Sequence, residues 1–93
     1  ADNHIKKEPG LGTLFSHSYL DAYMQLGRDA LGKIPKEERD ISSVTIHLSE
    51  DAFKVACRDI EKLRAKLLYL SEKSEKAKRV YQCSIQLIPT AEV

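Results

Sequence analysis

The stretch ISSVTIHLSEDAFKVACRDIEKLRAKLLYLS, residues 41–71, carries the reading of the fold. Its first eight residues alternate, with Val44, Ile46 and Leu48 to one side and Ser43, Thr45 and His47 to the other. That is a strand pattern of period two. Ser49 then precedes Glu50 and Asp51. A serine hydroxyl can accept from an early backbone N–H, and two carboxylates suit the positive end of a helix dipole. Beyond them Phe53, Ala56, Cys57, Ile60, Leu63, Leu67 and Leu70 recur at helical spacing to about Ser71. Lys54, Arg58, Glu61, Lys62 and Lys66 fall largely outside that stripe.

Outward on the C-terminal side, residues 71–78 read SEKSEKAK, a polar turn whose glutamates interrupt any basic patch. Residues 79–88 predict a second strand: Tyr81, Cys83, Ile85 and Leu87 alternate with Gln82, Ser84 and Gln86, and Pro89 ends the run. On the N-terminal side, residues 36–40 (KEERD) form a charged connection. Before it, Phe15, Tyr19, Tyr23, Leu26, Ala30 and Ile34 define a helix starting near Thr13, with Thr13 or Ser16 able to cap it. Pro35 stops it by disfavouring helical torsions at Ile34. Gly27 and Gly32 lie inside it. Each costs about 1 kcal/mol relative to Ala, so this helix is expected to need packing support. Residues 1–12, with Pro9, Gly10 and Gly12, read as a linker or flexible arm, leaving 13–93 as one domain.

The order is therefore helix, strand, helix, strand: an α+β fold of α-β-α-β order. A long helix between two strands implies a right-handed crossover, hence a small parallel sheet. One apolar face per strand places the helices on one side. Two strands make a marginal sheet with open edges, so further strands are expected from a second copy or from missing parent-chain strands. The chain opens Ala1-Asp2-Asn3 without an initiator Met and is read as the C-terminal fragment of a longer chain.

Composition narrows the function classes. The 93 residues hold 15 Lys+Arg against 14 Asp+Glu, a net charge of +1, which offers no field for a polyanion. A hydrophobic content of 42% with 31% charged residues suits a soluble globular domain rather than disorder. No apolar run approaches the roughly 20 residues of a membrane span. The expected location is the cytoplasm, with no membrane partner.

Reactive chemistry is sparse. There is no nucleophile elbow, P-loop or dinucleotide fingerprint, and Gly10-Leu11-Gly12 is too short to count. Glu37/Glu38 and Glu50/Asp51 are better explained by turn solvation and helix capping than by acid–base work. His4, His17 and His47 are scattered and lack metal-ligand spacing. Cys57 and Cys83 sit on apolar faces and read as buried free thiols, a disulfide being the lesser alternative. No catalytic, cofactor or metal site is expected, and the chain is read as a non-enzyme. The weak ligand or interface candidates are Arg39, His47, Tyr81 and Gln82. Arg39 could lie over the strand start or pair with a carboxylate of the second helix. His47 faces the polar side of its strand, which ordinary solvent exposure also explains. Tyr81 alone is no stacking platform for RNA.

From Tyr19 onward, distributed positions carry a resemblance: Ala30-Leu31 with Pro35, then Glu38-Arg39-Asp40-Ile41-Ser42, Val44 through Glu50, Arg79-Val80-Tyr81-Gln82, and Ile85-Gln86-Leu87 with Pro89. The chain resembles the C-terminal domain of the DUF4423 family of bacterial transcriptional regulators. Ile88 stands where the family pattern usually has Phe. The resemblance implies a two-part regulator, with a DNA-binding-like helical region upstream and this α/β domain downstream. It implies a regulatory or dimerisation domain, a homodimer, and DNA contact only through the upstream part. The alternative is a module sensing a small metabolite or nucleotide between helix and sheet. The resemblance transfers no catalytic residue.

Overall fold

A computed structural model of the chain describes residues 9–93, with side-chain surroundings from His17 onward. Two helices dominate it. The first, α1, spans Pro9–Lys33, and the second, α2, spans Glu50–Lys73; a single 3-10 turn, Lys36–Glu38, lies between them. The chain falls into two units, Ala1–Ser42 and Ser43–Val93.

Helix α1 begins at Pro9, before the Thr13 start that the hydrophobic spacing suggests. Proline suits the first position of a helix, because its missing N–H would have no intrahelical partner there. Residues 9–12 are thus helical, while residues 1–8 of the expected arm lie outside the described residues. The other end behaves as Pro35 dictates. The Ile34 amide still donates to the Ala30 carbonyl at 3.0 Å. Pro35 then turns extended, with φ −57° and ψ 146°. The Glu38 amide donates to the Pro35 carbonyl at 2.9 Å, closing the 3-10 turn. On the surface of α1, Gln25 donates to the Asp29 carboxylate at 3.0 Å. Tyr19 and Tyr23 stack with ring centroids 6.3 Å apart, the four-residue neighbour relation of a helix surface.

Helix α2 starts as its sequence requires. Ser49 is the N-cap, and its hydroxyl accepts from the Ala52 amide at 3.1 Å. Glu50 and Asp51 occupy the first turn. At the far end the Ser74 hydroxyl donates to the Leu70 carbonyl at 2.8 Å, and the Ser74 amide donates to the Ser71 carbonyl at 3.2 Å. Lys73 places its ammonium 5.5 Å from the centre of the Tyr69 ring. Both ends are therefore supplied with partners for groups a helix leaves open.

The expected sheet is absent. Among the described residues there is no β-strand: residues 41–48 and 79–88 are neither paired with each other nor laddered to any other segment. This overturns the α-β-α-β order with a small parallel sheet and helices on one face; the structure is essentially all α. The physical reason lies in what alternation measures. It reports a two-faced segment, not a hydrogen-bonded partner, and a lone two-stranded sheet is at best marginally stable. Residues 43–48 and 79–88 share the second unit, yet no ladder joins them.

No described residue is buried. The stripe expected to be core on α2 is half-covered at Ala56, Cys57 and Ile60 and exposed at Phe53, Leu63, Leu67 and Leu70. On α1, among the residues from His17 onward, Tyr23 and Ala30 alone are half-buried. A helix buries its apolar stripe only against a second packed layer. Among the described residues each unit offers one long helix and no second packed layer beside it.

Candidate functional site

The second unit carries one groove among the described residues that combines charge with apolar walls. Cys57, Arg58, Ile60, Glu61 and Arg64 line it from α2, and Ile85 and Leu87 line it from the C-terminal segment; its volume is about 380 Å³. Residues 57, 60, 61 and 64 share one helix face because they are separated by three, one and three positions. Ile85 and Leu87, two residues apart, come to that face from outside the helix, and Leu87 is half-buried there. The volume falls within the range of small-molecule pockets. The groove offers two guanidinium groups and one carboxylate over an aliphatic floor, a set that suits a planar or anionic group better than a cation.

The residues singled out from sequence lie elsewhere. Arg39 is half-buried in the first unit, and its Nε donates to the Ile34 carbonyl at 2.9 Å. This is neither arrangement expected of it. The guanidinium turns back on the end of α1, where the Ile34 carbonyl has lost its helical donor to the 3-10 turn. A positive group is also favoured at the negative end of a helix dipole. His47, Tyr81 and Gln82 are exposed in the second unit, and no hydrogen bond joins them to one another. Tyr81 is 74% exposed. The structure therefore does not gather these three into a site.

Sequence reading missed Arg58 and Arg64. Arg58 falls outside the apolar stripe, and Arg64 belongs to no motif in the sequence. The signal that could have found them is the polar edge of the stripe: Glu61 and Arg64 follow Cys57 by four and seven positions and so share its face. What sequence alone could not supply is the return of Ile85 and Leu87 to that edge. Cys57 is half-buried and Cys83 exposed, both as free thiols, so neither is the fully buried cysteine expected. Among the described residues no three His, Cys, Asp or Glu side chains are placed to hold a metal ion.

The chain belongs to the DUF4423 family, a domain of unknown function, whose model matches residues 5–90. No curated protein and no solved structure matches the chain. Among the described residues no helix is long and apolar enough to cross a membrane.

Proposed function

We propose that this chain is a non-catalytic self-association module, the regulatory or dimerisation domain of a bacterial transcriptional regulator. The observation that carries the reading is the lack of any buried residue among those described, beside two helices with ordered apolar stripes. Apolar surface drives association roughly in proportion to the area removed from water. A large exposed patch is the ordinary mark of a protein contact. The near-neutral charge of +1 fits a domain that leaves DNA contact to a separate upstream domain. The reading places the protein in the cytoplasm, where two free thiols stay reduced.

Sedimentation velocity across low to high micromolar concentration tests it. The expected result is a reversible monomer–dimer equilibrium. A single monomeric species throughout would overturn self-association.

A second reading, an effector-sensing module, is favoured by one observation: Arg58 and Arg64 on a groove of about 380 Å³. A thermal-shift panel of nucleotides and small organic acids tests it. Stabilisation that disappears in Arg64→Ala supports the groove as the site, and no shift with any member removes this reading.

A further inference from the structure

On α2 the residues Phe53, Ala56, Ile60, Leu63, Leu67 and Leu70 follow one another at spacings of three, four, three, four and three. That is the spacing of positions a and d in a heptad, the seam along which two helices pack side by side. The seam is open on one flank and covered on the other. Ile85 and Leu87 line a groove with Cys57 and Arg64 on that flank and with Ile60 of the seam, which is half-covered there. The opposite flank carries Asp59 and Lys66, both exposed. At the seam itself Leu63 remains 46% exposed and Leu70 49%.

We infer that α2 pairs with α2 of a second copy in antiparallel order, centred between Ile60 and Leu63. This rests on the self-association reading and gives it a surface and a direction. Three observations select the occupant and its orientation. The first is packing: in this register Phe53 faces Leu70, Ala56 faces Leu67 and Ile60 faces Leu63 of the second copy. The smallest seam residue thus meets a large one, as close-packed seams require. The second is charge. Antiparallel order brings Asp59 against Lys66 of the second copy, twice by symmetry, on the open flank. Parallel order would also give Asp59 an opposite charge, Arg64 of the second copy, so charge fits a second copy in either order and packing selects the antiparallel one. The third is area. The 24 residues of α2 make a helix about 36 Å long. Contact confined to one stripe of a helix this short makes a small interface, at the low end for a specific one. The dimer is accordingly expected to be reversible rather than permanent.

The test is sedimentation equilibrium on the full chain and its variants, with far-UV circular dichroism to verify that α2 stays helical. Leu63→Glu abolishes the dimer; the side chain is exposed in the monomer, so its replacement leaves the helix in place. Lys66→Glu sets like charges together twice and raises the dimer Kd about tenfold. Adding Asp59→Lys to Lys66→Glu restores it to within about threefold of the original. A wild-type chain that stays monomeric at several hundred micromolar overturns both this surface and the self-association reading. A wild-type dimer indifferent to Leu63→Glu and Lys66→Glu overturns the α2 surface alone. Rescue of Asp59→Lys by Arg64→Glu, in place of Lys66→Glu, overturns the antiparallel order.

Discussion

Ser49 and Arg39 each satisfy a backbone group that a helix end leaves open, and they do so by opposite chemistry. Ser49 accepts from the third amide of α2, whereas Arg39 donates to the carbonyl just past the end of α1. Removing an N-cap hydroxyl costs about 1 kcal/mol, because the freed amide has only water to turn to. Ser49→Ala is therefore expected to lower the thermal midpoint of α2 and fray its first turn, while Ser49→Asp keeps the midpoint close to wild type. Circular dichroism melts of the three proteins check this. Arg39→Lys keeps the charge but loses the planar guanidinium whose Nε makes the bond, so the residue resists a substitution that looks conservative.

At the scale of elements, the helices were legible and their surroundings were not. Ser49, Glu50 and Asp51 announced where α2 begins, and Pro35 announced where α1 must stop; both signals are local and act through a few backbone groups. The start of α1 at Pro9 precedes the expected Thr13 because proline, a breaker inside a helix, is at home in its first turn. The strands failed for a different reason. Val44, Ile46 and Leu48 alternate with polar residues as a ladder strand would, but a ladder needs a second segment in register, and no pattern within one segment encodes that. The groove was half legible: the face bearing Cys57 and Ile60 follows from spacing, whereas the arrival of Ile85 and Leu87 is a tertiary fact. Gly27 and Gly32 belong to this scale as well. A Cβ added at either would meet nothing within 4 Å, so the helix carries their entropic cost without a steric reason. Gly27→Ala and Gly32→Ala are each expected to stabilise α1 by about 1 kcal/mol. The check is the helical signal and its melting midpoint; a loss of stability in either variant would mean that another surface approaches the helix closely there.

For the whole molecule the governing fact is exposure. A fold is stable by a few kcal/mol left over between large opposing terms, and a chain whose described residues include none that is buried has given up most of the favourable one. Under the proposed self-association, apolar area would leave water by pairing, and the apparent stability would become a function of concentration. The expected outcome is a thermal midpoint that climbs by several degrees as the chain is concentrated a hundredfold, and that stops climbing in Leu63→Glu. A midpoint independent of concentration in the wild-type chain would contradict it. The same logic explains why the positions that look like core in the sequence are the positions to test for contact.

The two thiols acquire a use from their unequal surroundings. Cys83 is exposed and Cys57 is half-buried in the lining of the groove, so a maleimide reagent is expected to meet them at different rates, Cys83 first. The slower rate is a clock attached to one place. An occupant of the groove slows it without touching the faster one, and a loosening of the C-terminal segment brings the two rates together. The protein thus reports on its own site through its native side chains, with no label to engineer.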